Sequence, residues 1–267
     1  MNCISTKNLN ISYGNLDIVK DLNLDIPKGK ITTIIGSNGC GKSTILKTIA
    51  RIIQPKSGDI FVNNINIKDQ SPKELAKAVA VLPQSPQAPS GLTVEELIAY
   101  GRFPHQKGFG KMRKEDNDIV TWALQSTGIE EFRDRPIEAL SGGQRQRAWI
   151  AMALAQQTDI LVLDEPTTYL DLAHQLEILL LLKRLNEKEN RTIVMVLHDL
   201  NLASRFSDYM IAMKGGKLIT KGSPDEVMTT DNLRRLFNIE ADFQTCPHSG
   251  HPIFTSYHLS EQDKDHD

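Results

Sequence analysis

The sequence predicts an α/β fold that combines parallel strands, an N-terminal antiparallel β subdomain and an inserted helical segment. Two runs, residues 160–163 and 193–197, are continuously apolar, as expected of parallel strands that are covered on both faces. Apolar and polar residues instead alternate over residues 4–26, which is typical of antiparallel strands with one face in water. Between Ser90 and Gln157 no strand pattern is visible, so this stretch is predicted to be a helical subdomain.

Local signals place the individual elements. Ile60–Val62 and Ile65–Ile67, separated by two asparagines, predict a β-hairpin. Apolar residues at helical spacing predict three helices in the inserted segment, near residues 94–101, 116–127 and 141–156. Capping boxes, in which Ser or Thr precedes Glu by three positions, mark further helix starts at Ser71, Thr93 and Ser223. Residues 260–267 are polar and charged, which predicts a disordered tail.

Composition limits the classes of function. The 267 residues include 40% hydrophobic side chains, enough for a substantial core. The apolar stretch Leu176–Leu182, which Glu177 interrupts, is far shorter than the ~20 residues that cross a bilayer, and the N-terminus does not resemble a secretory signal. Three scattered cysteines fit a reducing compartment, so we expect a cytosolic chain. A net charge of -2 supplies no basic field, and no nucleic-acid partner is expected.

A phosphate-binding loop follows the β-branched run Ile31–Ile35. The pattern G-x-x-x-x-G-K-[ST] is met by nine consecutive residues, namely Gly36, Ser37, Asn38, Gly39, Cys40, Gly41, Lys42, Ser43 and Thr44. Apolar residues at helical spacing follow, which gives the expected order of strand, glycine loop and helix N-terminus. In such a loop backbone N–H groups surround phosphate oxygens, Lys42 reaches the β and γ phosphates, and Ser43 holds Mg²⁺.

Polar side chains at three other strand ends suit phosphoryl transfer. Asp164 and Glu165 end an apolar strand, an arrangement that places one carboxylate on Mg²⁺ and the next beside the attacking water. Gln84 follows residues 79–83 and could reach the metal and the water with its amide. His198 follows the strand 192–197 and is placed to hydrogen-bond a γ-phosphate, although a lone histidine there is often only structural.

Together these motifs resemble the nucleotide-binding subunit of ATP-binding cassette transporters, over residues of about 4 to 240. The resemblance makes residues 36–44 the Walker A loop, Gln84 the Q-loop and Asp164 and Glu165 the Walker B acids. It also assigns the following roles: adenine stacking to Tyr13, the signature sequence to Leu140, Ser141, Gly142, Gly143 and Gln144, the D-loop acid to Asp171 and the switch histidine to His198. Without the resemblance, Tyr13 is equally well a half-buried strand aromatic.

The resemblance also implies a fold, a domain plan and a set of ligands. We expect a RecA-like P-loop NTPase core with the antiparallel and helical subdomains described above. Residues 1–240 would form one ATPase domain, with its core at about 1–88 and 158–240 and its helical subdomain at about 89–157, followed by a C-terminal segment, 241–267. ATP and Mg²⁺ are the expected ligands, with Ser43, Gln84 and Asp164 around the metal.

The signature sequence implies that one copy is insufficient. Ser141-Gly-Gly143 opens a helix and can bind an anion, but the phosphate loop of the same chain already serves its own nucleotide. A second identical subunit, packed head to tail, must then supply the facing half of each site. Transmembrane permease subunits, and indirectly an extracytoplasmic substrate-binding protein, are further implied partners, with the ATPase at the cytoplasmic side of the membrane.

Three segments indicate a branch of the family. Gly101–His105, Pro166–Gln175 and Leu197–Arg205 look like those of the ATPases that power ferric-siderophore importers, with haem or cobalamin importers as alternatives. Residues of about 86 to 110 are expected to receive a cytoplasmic helix of the permease, with Arg102 exposed there. These segments indicate the branch of the family to which the chain is related, but they do not reveal the chemistry of the transported compound.

Three other classes of nucleotide-binding protein fit the sequence less well. A GTPase needs an Asn/Thr-Lys-x-Asp motif, and the nearest string ends in Ser223, which excludes that class. A soluble cassette ATPase would usually carry two cassettes or long coiled coils, and this sequence shows neither. A module that binds ATP without hydrolysing it would lack the base at Glu165, which is present here. A helix N-terminus would lower the pKa of Cys40 and favour the thiolate, but a residue of the loop can also simply fill space, and that structural role is favoured. Cys246 and the nearby histidines His248, His251 and His258 match no standard zinc spacing, and a structural role is favoured.

Overall fold

The computed structural model describes residues 1–106 and 112–260. The strands of this part of the chain are β1 (Asn2–Tyr13), β2 (Leu16–Leu22), β3 (Asp25–Pro27), β4 (Ile31–Gly36), β5 (Ser57–Val62), β6 (Ile65–Asn66), β7 (Val79–Leu82), β8 (Ile160–Asp164), β9 (Thr192–Val196), β10 (Tyr209–Lys214), β11 (Lys217–Gly222), β12 (Ile239–Thr245) and β13 (Pro252–Leu259). The helices are α1 (Lys42–Ile49), α2 (Pro72–Ala78), α3 (Val94–Tyr100), α4 (Lys114–Thr127), α5 (Gly142–Ala155), α6 (Leu172–Glu189), α7 (Leu200–Phe206), α8 (Pro224–Val227) and α9 (Thr230–Phe237). Short 3₁₀ turns lie at Ile67–Asp69, Phe103–His105, Glu130–Phe132 and Ile137–Ala139.

The chain forms two compact units. One contains Met1–Ile67 and the chain from Val194 onward, and the other contains Lys68–Ile193. None of the helices within the described ranges combines the length and the apolar character that a membrane span requires.

The first unit contains an antiparallel sheet with the strand order β2-β1-β5-β6, in which β3 also pairs with β1. Ile4 of β1 lies opposite Ile26 on one side and Val62 on the other, and all three side chains are buried. This is the N-terminal β subdomain that the alternating pattern predicts. The predicted hairpin is formed by β5 and β6, but Ile67 begins a 3₁₀ turn and does not extend the strand.

The same unit carries parallel strands in the order β11-β10-β4-β9. β10 pairs with β4 in parallel, with Ile211 opposite Ile34, and β11 closes this edge as an antiparallel strand. All six residues of β4 are buried, Thr32 and Thr33 among them, as expected of a strand covered on both faces. β4 leads directly into the phosphate loop and α1.

The second unit pairs β7 and β8 in parallel, with Val81 opposite Val162. Helices α3, α4 and α5 pack against one another there, so the three predicted helices are confirmed with small shifts at their ends. In the described parts of residues 90–157 the only β pairing is a single bridge between Thr93 and Pro136. The capping boxes at Ser71 and Thr93, and the one at Ser223 in the first unit, are all present.

The C-terminal segment contains an antiparallel hairpin, β12 and β13, that we did not predict. Pro247 and Gly250 indicate turns, and turns do connect the two strands, but the strands on either side were missed. The hairpin packs on α7, where the Asn201 side chain accepts from the Phe254 N–H and donates to its carbonyl, each at 3.0 Å. The predicted disordered tail lies outside the described residues, apart from Ser260.

Candidate functional site

Glycines shape the phosphate loop between β4 and α1. Gly39 and Gly41 have φ of 75° and 99°, a left-handed region that suits glycine. At Gly36 an added Cβ would lie 2.9 Å from the Cys40 sulfur, so the close approach there also requires glycine. Such a curled backbone directs consecutive N–H groups into one concavity, which is an anion-binding arrangement.

The loop ends at the N-terminus of α1. Gly41 precedes the helix and, having no side chain, supplies no side-chain cap to its first turn. Lys42 is only 5% exposed, and its Nζ donates to the carbonyls of Gly36 at 2.8 Å and Ser37 at 3.0 Å. The ammonium is therefore held at the loop itself, and the helix N-terminus adds a favourable field for phosphate.

The argument that the helix N-terminus lowers the pKa of Cys40 is wrong in direction. Its side chain is buried, and burial raises the pKa of the thiol, since the loss of hydration outweighs the opposing effect of the Lys42 charge. The sulfur lies 3.9 Å from the Lys42 Nζ. A position at a helix N-terminus would by itself favour the thiolate, whereas burial of the side chain within the loop favours the neutral thiol.

The two acids of the second unit differ in environment. Asp164 ends β8 and is 4% exposed, whereas Glu165 is half-buried in a left-handed conformation, with φ of 53°. One carboxylate oxygen of Glu165, Oε2, accepts from Gln84 Nε2 at 2.5 Å and from Thr168 Oγ1 at 2.9 Å. Backbone strain and two donors thus fix the orientation of a single carboxylate.

Thr168 is a site residue that the sequence analysis did not single out. Its backbone N–H donates to the Glu165 carbonyl at 3.2 Å, which closes a turn and brings its hydroxyl to the carboxylate. The signal available in the sequence is only a hydroxyl residue three positions after the acid. That spacing becomes informative once the turn is known.

The signature residues form the start of α5. The Ser141 hydroxyl accepts from the Gln144 N–H at 3.3 Å, and the Gln144 side chain accepts from the Ser141 N–H at 3.0 Å. This capping box leaves the O–H of Ser141 free to donate, because its oxygen is the acceptor in the cap. Ser141 and Gly142 are exposed and Gly143 is buried, so one face of this helix start is open to an anion.

Asp171 caps α6. Its Oδ1 accepts from the His174 N–H at 2.9 Å and lies 2.8 Å from the His174 Nδ1. These two contacts, the backbone one first, lower the pKa of the Asp171 carboxyl. Because an ionised carboxylate only accepts, the ring nitrogen donates. His174 is a second residue that the sequence analysis missed.

Tyr13 and His198 lie in the first unit. Tyr13 ends β1 with 48% of its surface exposed, so its ring face is accessible. His198 is exposed two residues after β9 and directly before Asp199, whose carboxylate caps α7 by accepting from the Leu202 N–H at 2.8 Å. The imidazole is thus placed between a buried strand and a capped helix.

Arg102 corrects another expectation. It is 4% exposed and pairs with the Asp116 carboxylate at 2.8 Å, and it also donates to the Ala155 carbonyl at 2.7 Å. Burial acts to raise the pKa of Asp116, but the hydrogen bonds from Arg102 and the Arg113 backbone leave it lowered. The exposed residues at this place are Tyr100 and Phe103, whose rings stack at 5.1 Å.

The C-terminal histidines do not converge with Cys246. Within residues 1–106 and 112–260 no group of three or more His, Cys, Asp or Glu side chains is suited to a metal ion. His251 Nδ1 instead lies 3.1 Å from the Asp225 carboxylate, and Cys246 is buried. Hydrogen bonds from Ser249 and the His248 N–H lower the pKa of the Cys246 thiol.

A glycine loop at a helix N-terminus and a strand ending in two acids define a P-loop nucleotide hydrolase. Residues 19–168 match the family described as ABC transporter. The chain is 59% identical to the iron(3+)-hydroxamate import ATP-binding protein FhuC of Bacillus subtilis, over 99% of this chain and 98% of that protein. It is 52% identical to the petrobactin import ATP-binding protein FpuD of Bacillus anthracis, over 94% and 92% of the two chains.

A bacterial ABC transporter cassette solved as a dimer has a similar structure, with a TM-score of 0.73 and 32% identity over 82% of this chain and 98% of that one. The chain belongs to the ABC transporter family. It is an ATP-binding and ATP-hydrolysing subunit, and the predicted fold class, an α/β RecA-like core with added β and helical parts, is confirmed.

Proposed function

We propose that this chain powers an importer of iron(III)-siderophore complexes, with hydroxamate siderophores as the first class to test. The observation that carries the proposal is the 59% identity to an iron(3+)-hydroxamate import subunit along nearly the whole chain. The three segments near residues 101–105, 166–175 and 197–205 point to the same branch of the family.

Nucleotide binding is proposed to begin in the first unit. The loop 36–44 surrounds the phosphates with backbone N–H groups, and Lys42 moves its ammonium from the loop carbonyls to the β and γ phosphates. The exposed ring of Tyr13 offers a flat π-face to adenine. His198 hydrogen-bonds the γ-phosphate and so distinguishes ATP from ADP.

The residues also suit Mg²⁺. Ser43, Gln84 and Asp164 offer a hydroxyl, an amide and a carboxylate oxygen, the hard donors that this ion prefers. When bound, Mg²⁺ neutralises charge that develops on the phosphate oxygens. Glu165, fixed by Gln84 and Thr168, accepts the proton of the attacking water. Because Gln84 is bonded to this base, displacement of Gln84 would disturb the base as well.

The active form is proposed to be a head-to-tail homodimer. The open start of α5, with Ser141, Gly142, Gly143 and Gln144, is an anion site separate in sequence from the phosphate loop. It would bind the γ-phosphate held by a second identical subunit, with Asp171 at the same interface. ATP then joins the two subunits and hydrolysis releases them, which makes the dimer a two-state device.

Further partners follow from this role. Permease subunits would hold the chain at the cytoplasmic side of the membrane, and an extracytoplasmic substrate-binding protein would deliver the cargo. The segment 86–110, of which residues 107–110 lie outside the described residues, would receive a permease helix at the exposed pair Tyr100 and Phe103. We retain the domain plan of one ATPase domain, 1–240, with a C-terminal segment, and expect no nucleic-acid partner.

Uptake of iron complexes tests the cargo. Cells that lack their own subunit for ferric-hydroxamate import are complemented with the parent chain or with Glu165→Gln. Uptake is measured with radioactive iron for hydroxamate and catecholate siderophores and for haem, and with radioactive cobalt for cobalamin. We expect the parent to restore ferric-hydroxamate uptake and Glu165→Gln to restore none. Restoration of cobalamin or haem uptake alone would overturn the cargo assignment.

A further inference from the structure

The His174 side chain lies between two loops that the proposed dimer presents to its partner. Its Nδ1 donates to Asp171 Oδ1 at 2.8 Å. On its other side, a Cβ built on Gly143 would lie 3.0 Å from the ring Cγ and 3.2 Å from Nε2. The imidazole therefore packs against the bare Cα of a signature glycine while it holds the D-loop acid.

This arrangement gives the glycine at position 143 a packing role. Gly143 does not have a positive φ, so backbone strain does not demand glycine, but an added Cβ would displace the His174 ring from its place against this residue. At Gly142 an added Cβ would lie 3.5 Å from the Leu170 side chain, so the same two segments approach each other there as well. The signature start and the D-loop thus come close where two glycines carry no side chain.

Helix capping alone does not account for the histidine. Asp171 caps α6 through the backbone N–H of residue 174, at 2.9 Å, which any residue except proline would supply. Nor is the ring needed to attach α5 to α6, because Arg147 and Glu177 form an ion pair between these helices at 2.8 Å. The imidazole adds a link at one point, between Gly143 and Asp171.

We propose that His174 is a positioning residue that holds Asp171 and the signature start in one fixed arrangement, so that both reach the partner's nucleotide together. The inference rests on the proposed dimer but not on the proposed cargo. A displacement of either loop by a fraction of an ångström would weaken the contacts to the partner's γ-phosphate, while the chain's own phosphate loop, 36–44, would be unaffected. His174 would then act on turnover and ATP-driven dimerisation, and not on ATP binding to the monomer.

Three variants separate the two functions of the ring. His174→Phe keeps a ring against Gly143 but loses the donor, whereas His174→Asn keeps an N–H donor at the place of Nδ1 but loses the ring. His174→Ala loses both. Glu177→Ala is the matched control, because it breaks the ion pair between the same two helices without touching either loop.

The readouts are kcat, the KM for ATP, the ATP affinity of the monomer and thermal unfolding of the purified full chain. The variants are also placed in the Glu165→Gln background, where the ATP-bound dimer is measured by light scattering. We expect His174→Ala to lower kcat on the order of 10–100-fold, the usual effect of a slightly misplaced group. Its monomer should bind ATP within about two-fold of the parent, and dimerisation should need more ATP.

Conservative variants decide between positioning and bulk packing. His174→Asn and His174→Phe should each recover part of the lost kcat, and Glu177→Ala should stay within about two-fold of the parent. Parent-like kcat and dimerisation in His174→Ala would overturn the inference, and so would an equal loss in Glu177→Ala. If His174→Ala does not fold, the Phe and Asn variants give the same test. A parent chain that hydrolyses ATP and dimerises, yet restores no iron uptake, refutes the cargo and leaves this inference intact.

Discussion

Gln84 Nε2 donates to Glu165 Oε2 at 2.5 Å, so the residue that follows β7 is bonded directly to the carboxylate that follows β8. The Thr168 hydroxyl donates to the same oxygen. The carboxylate therefore enters the reaction already oriented, and the proposed sensor of the nucleotide and the proposed base are one hydrogen-bonded unit within Lys68–Ile193.

Glu165→Gln tests the base. The variant should bind MgATP but hydrolyse it more slowly by on the order of 10²–10⁴, the usual contribution of a positioned base. It should also accumulate an ATP-bound dimer, measured as a doubled mass by light scattering. A turnover within a few-fold of the parent would remove Glu165 from this role.

Mixed dimers test the position of Ser141. Ser141→Arg and Lys42→Ala chains should each be inactive alone, because one loses the signature and the other the phosphate loop. If Ser141 acts on the partner's nucleotide, a mixed dimer contains one intact site, and mixing the two proteins should restore ATPase activity. Each variant mixed with the parent is the control. Activity that does not rise above that of either variant alone would contradict action across the dimer.

Alkylation at different pH values tests the environment of Cys40. Only the thiolate reacts, and burial raises the pKa of this thiol, so Cys40 should react slowly at neutral pH and faster as the pH rises beyond the range of a free cysteine. Saturating MgATP should slow the reaction further. Peptide mapping follows each cysteine, and inhibition that persists in Cys40→Ala would point to Cys3 or Cys246.

Phe103→Ala tests the permease-docking surface. Its ring is 58% exposed and stacks on Tyr100, so its removal should reduce siderophore uptake and permease-stimulated ATPase activity while the isolated chain still hydrolyses ATP. Tyr257→Ala, which removes an exposed aromatic ring from β13, is the matched control. Equal uptake by the parent and Phe103→Ala would contradict the docking assignment.

Arg102→Ala tests whether Arg102, the residue next to Phe103, stabilises the fold or contacts the permease. Since Arg102 and Asp116 form a buried pair, Arg102→Ala should destabilise the fold by about 3–5 kcal/mol, measured by denaturant unfolding. A variant that loses uptake at unchanged stability would instead place Arg102 on the docking surface.

Asn201→Ala tests how the C-terminal hairpin is attached. Both hydrogen bonds to the Phe254 backbone would be lost, which should cost about 1–3 kcal/mol. The melting temperature should fall by roughly 2–4 °C for each kcal/mol. Ser256→Ala changes an exposed contact on the same hairpin and should leave stability within about 0.5 kcal/mol of the parent. An unchanged melting temperature in Asn201→Ala would show that packing alone holds the hairpin on α7.

The sequence by itself determined the family, most elements before the C-terminal hairpin and the backbone of the phosphate loop. Each of these depends on residues that are close together in the chain: glycines that permit unusual φ values at positions 39 and 41, capping boxes at Ser71 and Thr93, and apolar runs that become buried strands. The backbone conformation that a short segment prefers depends mainly on its own residues, so a pattern in the sequence is sufficient to predict it.

Only the tertiary structure decided which side chains meet. It buried Arg102 against Asp116, raised the pKa of Cys40 where the local helix predicted the opposite, and joined Asn201 to a strand 53 residues away. It also brought His174 against Gly143, a contact that no spacing rule contains. The environment of a side chain depends on neighbours from distant parts of the chain, and the packing that selects those neighbours is a property of the whole fold and not of any one segment.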